Sequence, residues 1–215
     1  MSAPQTVVFD LGGVLVDWDP RYLYRTLLPS DADVERFLSD VATPSWNAEQ
    51  DAGRTWADAV ATLSAEHPEH AELIEAYDTR WIETIGGPID DSVELLRELR
   101  DGGEVGLYAL TNWSAEKFPL AVERFEWLSW FEGIVVSGTE RLVKPDHRIF
   151  RLLLDRYALD ASSTVYIDDS ARNVDAAAEL GMTSLHFTGP DRLRDELSQL
   201  GLVPADPSPD RPSEE

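Results

Sequence analysis

The chain has 215 residues, 43% apolar and 27% charged, a soluble globular composition with room for one sizeable core plus an inserted or appended piece. Eighteen Lys and Arg stand against 41 Asp and Glu, a net charge of −23 that repels nucleic acid and anionic membranes. The absence of cysteine excludes disulfides and thiolate chemistry, and no apolar run approaches the roughly 20 residues that span a bilayer.

Thr6-Val7-Val8-Phe9 is a short apolar run ending in Asp10 and Leu11-Gly12-Gly13, and it reads as a buried strand. From Asp17 to about Ile85 no segment has strand character. Apolar residues there recur at helical spacing in Tyr22 to Leu28, Asp33 to Val41, Trp56 to Leu63 and Ala71 to Ile82. A helix over Asp90 to Arg100 carries Val93, Leu95, Leu96 and Leu99 on one face and stops at Gly102-Gly103. Four further strands follow, at Val105 to Leu110, Ile134 to Ser137, Val165 to Ile167 and Thr183 to Phe187. Helices beginning near Ser114, over Asp146 to Tyr157 and over Arg172 to Leu180 separate them, and one over Asp191 to Leu200 closes the series.

Such alternation predicts an α/β protein with a doubly wound parallel sheet, interrupted after its first strand by an all-helical insert. The expected division is an α/β core of residues 1–16 and 86–204, a helical cap of 17–85 and a disordered, Pro-rich acidic tail of 205–215. The N-terminus lacks a basic stretch followed by a long apolar one, so a cytoplasmic location is expected.

Ligands of an open parallel sheet bind beyond the carboxyl ends of its strands. Asp10, Thr111-Asn112 and Asp168-Asp169 sit at three such ends. Lys144, one of only two lysines, lies in the loop after the third core strand. Any one of these has a structural explanation: a strand-end Asp often caps the next helix, as Asp169 or Ser170 would before Arg172. Their joint occurrence favours one crevice. Clustered carboxylates need a cation between them, and hard oxygen donors without His or Cys select magnesium. Magnesium with a lysine opposite suits a phosphoryl group attacked by a carboxylate.

The motifs Phe9-Asp10-Leu11-Gly12-Gly13-Val14, Leu110-Thr111-Asn112, Val143-Lys144-Pro145 and Ile167-Asp168-Asp169-Ser170 resemble, in order and spacing, those of the haloacid dehalogenase superfamily. The likeness is to the branch with a helical cap after the first strand, and within it to the subgroup of sugar-phosphate phosphatases and the phosphatase domain of soluble epoxide hydrolase. It implies sheet order 5-4-1-2-3, counting core strands only. It further implies Asp10 as nucleophile and magnesium ligand, with Thr111, the Asn112 amide and Lys144 on the phosphoryl group. Asp168, Asp169 and the Gly12 carbonyl would complete the magnesium site, with Asp169 the more direct ligand. The implied activity is magnesium-dependent hydrolysis of a small phosphate monoester by a monomer or homodimer.

Gly12 departs from the family pattern, because most of these phosphatases carry there a second Asp that acts as general acid and base. Asp17 and Asp19 are the nearest substitutes by sequence. Without a substitute, aryl or anomeric phosphates should be preferred over primary alkyl ones. Two alternatives stand beside the phosphatase: a metal-free 2-haloacid dehalogenase and a non-catalytic binding protein. The resemblance to dehalogenases is the weaker, since those carry small hydroxyl residues at Asp168 and Asp169, Tyr at Phe150 and Asp near Asn173. In the insert, Trp46, Trp56, Trp81 and Tyr77 are candidates either for its core or for the substrate pocket.

Overall fold

The computed structural model describes residues 4–204; the tail expected at 205–215 lies outside them. In chain order the elements begin with β1 (Thr6–Phe9), β2 (Val16–Trp18) and the helices α1 (Arg21–Tyr24), α2 (Asp31–Asp40), α3 (Pro44–Asp51), α4 (Trp56–Glu66) and α5 (Ala71–Thr79). Then come β3 (Ile85–Pro88), α6 (Asp90–Gly102), β4 (Gly106–Thr111), α7 (Phe118–Arg124), β5 (Gly133–Val136) and α8 (Ser137–Glu140). The last are α9 (His147–Tyr157), β6 (Thr164–Asp168), α10 (Ala171–Glu179), β7 (Thr183–His186) and α11 (Pro190–Gln199).

Five parallel strands form the main sheet in the order β5-β4-β1-β6-β7, which is the order 5-4-1-2-3 when core strands alone are counted. Central β1 is covered on both faces, as its unbroken apolar run requires. Val7 and Phe9 pack with Leu96 and Leu99 of α6 and Leu193 and Leu197 of α11. Val8 points the other way, onto Ile149 and Phe150 of α9 and Ala177 of α10. Register sets the site: Phe9 is level with Ala109 on β4 and with Ile167 on β6, so Asp10 emerges beside Asp168.

Between β1 and α6 the chain departs from the all-helical expectation. β2 and β3 pair antiparallel, Val16 with Pro88 and Asp17 with Gly87, as a two-stranded ribbon at the base of the five helices. A Gly-Gly-Pro strand has little β propensity, so its sequence gave no strand signal. A side chain at Gly86 would meet the Asp17 carboxylate at 2.4 Å, so glycine is what lets the ribbon close.

Helix α3 also lies outside the segments with helical apolar spacing. It buries only Trp46 and Gln50 and so lacks an apolar stripe, but Pro44 opens it and the Thr43 side chain accepts from the Trp46 amide. The helix expected near Ser114 starts at Phe118 instead. Ser114 is taken up by loop bonding, its hydroxyl accepting from Trp56 Nε1 at 3.0 Å and its carbonyl from the amides of Lys117 and Phe118.

The insert is bonded to the core through that same loop and through the start of α8. The Trp56 amide donates to Glu116 at 3.1 Å, Lys117 Nζ donates to the Asp78 carbonyl and carboxylate, and the Ser137 hydroxyl donates to the Asp51 carbonyl at 2.6 Å. Within the insert Trp46, Trp56 and Tyr77 pack ring against ring. These three are core residues.

Candidate active site

At the carboxyl end of β1, Asp10 is 7% exposed, and its Oδ1 accepts from the Leu11 amide at 2.7 Å. Lys144 Nζ lies 2.8 Å from Asp10 Oδ2 and 2.7 Å from Asp168 Oδ2, and donates to the Leu110 carbonyl at 3.0 Å. One ammonium thus ties together the ends of β1, β4 and β6. Its loop is held by the Asn112 side chain, which accepts from the Lys144 amide at 2.9 Å and donates to the Lys144 carbonyl at 3.1 Å.

Asp168 is fully buried and fully engaged. Oδ1 accepts from the Ser170 amide and Asn173 Nδ2, while Oδ2 accepts from Lys144 Nζ and the Tyr166 hydroxyl. A carboxylate has about four acceptor sites, so these bonds fill it. Tyr166 and Asn173 were missed in the sequence. The signal for Tyr166 was its place two residues before Asp168, on the same face of a strand.

Asp169 is exposed and leans over the turn after β1, where a Cβ on Gly13 would meet its Oδ2 at 2.3 Å. Gly13 also has φ +73°, so both contact and backbone demand glycine. Asp10, Asp168 and Asp169 each bring a carboxylate oxygen within 4.8 Å of the others.

Burial pushes the Asp10 carboxyl up to about 7, opposed by Lys144 and reinforced by the charges of Asp168 and Asp169. Burial would raise Asp168 too, yet the Lys144 ammonium and the bonds it accepts hold it below the usual range. Asp169 is raised, by burial and then by Asp168. Burial would lower Lys144, but the carboxylates of Asp10 and Asp168 keep it above the ordinary lysine value. The cluster therefore carries excess negative charge that a cation would relieve.

Thr111 is 1% exposed at the end of β4, and its hydroxyl has no hydrogen-bond partner among the described residues. A buried unsatisfied hydroxyl costs about 1–3 kcal/mol. Between core and insert lies a cavity of about 80 Å³. Gly12, Asn112, Trp113 and Ser114 form its core side. Trp18, Asn47, Asp51 and Trp81 form the insert side, so of the candidates Trp46, Trp56, Trp81 and Tyr77 it is Trp81 that lines this cavity.

Asp17 and Asp19 do not line this cavity. Asp17 accepts from the Tyr22 hydroxyl at 2.6 Å, and Asp19 accepts from the Arg21 amide at 2.9 Å and pairs with its guanidinium.

The description "haloacid dehalogenase-like hydrolase" matches residues 4–181. The chain belongs to that family. It is 29% identical over 199 residues to a sesquiterpene phosphatase of Aspergillus oryzae, covering 91% of this chain and 96% of the relative. A family enzyme of Bacteroides thetaiotaomicron, solved with magnesium and inorganic phosphate, superposes with a TM-score of 0.65 at 22% identity, over 85% of this chain and 93% of that one. A structure described as a dehalogenase superposes with a TM-score of 0.63 at 17% identity, over 87% and 86%. At these identities the likeness shows the fold and not the reaction. The enzyme is a hydrolase of this family, and the distinction between phosphatase and dehalogenase rests on its side chains. No helix among the described residues is long and apolar enough to cross a membrane.

Proposed function

We propose that this hydrolase is a magnesium-dependent phosphatase of a small phosphate monoester, working through an aspartyl phosphate on Asp10. The observation that carries the reading is the three-carboxylate cluster with the Lys144 ammonium in contact with Asp10 and Asp168. A metal-free dehalogenase site for a carboxylate substrate would repel its own substrate with such a cluster. The Aspergillus relative, a phosphatase over nearly the whole length, supports the same choice.

The donors fit magnesium: they are all oxygens, they carry excess negative charge, and Asp169 is exposed to receive an ion. Asp10, Asp169 and the Gly12 carbonyl would hold it, with Asp168 behind them as the anchor of Lys144. The ion would supply charge neutralisation for the phosphoryl oxygens. Lys144 opposes the effect of burial on Asp10, favouring its ionised form, and faces the same oxygens. Thr111 offers its unpartnered hydroxyl to the phosphoryl group, a bond that would relieve its burial cost. Asn112 fixes the Lys144 loop with its side chain and leaves its backbone amide for the phosphoryl group. Trp18, Trp81 and Trp113 offer flat apolar faces to the alcohol portion, suited to a sugar ring or an apolar skeleton.

We further place the enzyme in the cytoplasm, as a monomer or homodimer acting on a soluble ester, with residues 17–85 as its cap. The deciding experiment is a phosphate-release screen over sugar phosphates, nucleotides, glycolytic acids, amino-acid phosphates and terpenyl phosphates, with and without magnesium. Metal-independent halide release from 2-haloacids, with no phosphate release from any ester, would overturn the reading.

A further inference from the structure

We propose that Asp51, on the insert wall of the cavity, is the proton donor and acceptor that stands in for the carboxylate missing at Gly12. This rests on the phosphatase reading above. Asp51 and Gly12 line the same cavity, from its insert side and its core side. Asp51 ends α3, and its own carbonyl accepts from Ser137 at 2.6 Å, so the core fixes its backbone. The other carboxylates near the crevice are engaged elsewhere: Asp17 by Tyr22, Asp19 by Arg21, Glu116 by the Trp56 amide, Asp168 by four donors.

The position suits the chemistry. Attacking and leaving oxygens lie roughly in line across phosphorus, so with Asp10 on the core the leaving oxygen points toward the insert. A donor on that wall is on the correct side. Burial pushes the Asp51 carboxyl up to about 7, opposed only by the Ser114 backbone amide, so the group exchanges a proton near neutrality. Burial is the largest cause of the rise, and the Tyr77 hydroxyl, itself raised mainly by burial, registers the Asp51 charge.

In the first step an Asp10 oxygen bonds to phosphorus as the bond to the ester oxygen breaks. The leaving oxygen keeps the electron pair and takes the Asp51 proton, departing as the alcohol. In the second step a water gives its proton to Asp51 while its oxygen bonds to phosphorus. The bond from phosphorus to Asp10 then breaks, releasing inorganic phosphate and restoring both carboxyl groups.

The test compares the magnesium-loaded enzyme on 4-nitrophenyl phosphate, whose leaving group needs no proton, and on a primary alkyl phosphate, whose leaving group does. Asp51→Asn should lower the alkyl-to-aryl rate ratio by about 10²-fold or more. Adding Gly12→Asp should recover at least about tenfold of it, because a Cβ at Gly12 meets nothing within 4 Å. An unchanged ratio in folded Asp51→Asn overturns the proposal. If that variant does not fold, Gly12→Asp alone decides: a rise in the ratio below about threefold supports a donor already in place, and a rise of about 10²-fold overturns it. Failure of the phosphatase reading looks different, since wild type would then release no phosphate or Asp10→Asn would remain active.

Discussion

Lys144 Nζ lies 2.8 Å from the Asp10 carboxylate, with 1% of the lysine side chain and 10% of the aspartate exposed. Burial raises the Asp10 carboxyl to about 7 and Lys144 is the largest effect opposing it, so the ammonium favours the ionised nucleophile. Lys144→Met, which keeps the bulk and removes the charge, should cost about 10²-fold or more in kcat. It also leaves Asp168 buried without its cation, and breaking a buried pair from one side costs about 3–5 kcal/mol. Denaturant unfolding and steady-state kinetics read the two effects separately. A rate loss below about threefold would make Lys144 structural only.

Asp10→Asn should abolish phosphate release in a folded protein, since the amide is a poor nucleophile. A chelator should do the same reversibly, with magnesium restoring the rate. The two strand-end carboxylates should then divide. Asp169 is exposed, so Asp169→Asn should weaken magnesium binding by calorimetry at least about tenfold, with little loss of stability. Asp168 is saturated by four donors, and Asp168→Asn should chiefly destabilise the fold. Equal effects on magnesium affinity without any loss of stability would refute this division.

Thr111→Val separates binding from stability in the opposite sense. The hydroxyl is buried with no partner among the described residues, so an isosteric methyl should leave stability unchanged or raise it by about 1 kcal/mol. If that hydroxyl serves the phosphoryl group, the inhibition constant for inorganic phosphate should rise by about tenfold, the worth of one hydrogen bond. Lower stability with unchanged phosphate affinity would show the hydroxyl to be a structural partner instead.

The strand ends were legible because their chemistry is local. Asp10, Thr111 and Asp168 each follow an apolar run, and parallel register does the rest. What supports them was less so. Tyr166 and Asn173 reach Asp168 from a strand face and the following helix turn, and neither residue type announces that task. The ribbon of β2 and β3 is held by pairing between segments about 70 residues apart, with a Gly-Gly-Pro strand that carries little propensity. Asp51 was hidden more deeply. It ends a helix with almost no apolar stripe, and only the docking of that helix against Ser114 and Ser137 brings its carboxylate to the cavity.

Asp51 should also leave a mark on stability. Its carboxyl is pushed from 3.8 to about 7 by burial, so between those values the folded chain holds a proton that the unfolded chain has lost. Stability must then fall as pH rises through that window, because the folded state binds more protons than the unfolded one. The full shift of about three pH units corresponds to roughly 4 kcal/mol, and partial exposure reduces the expected effect to about 2 kcal/mol. Asp51→Asn cannot ionise and lacks this loss. The stability of the variant relative to wild type should therefore increase by about 2 kcal/mol between pH 4.5 and pH 7.5, whatever the absolute value at either end. Urea unfolding of both proteins across that range measures it. A difference independent of pH would mean that the Asp51 carboxyl ionises at its ordinary value, leaving no proton to donate near neutrality.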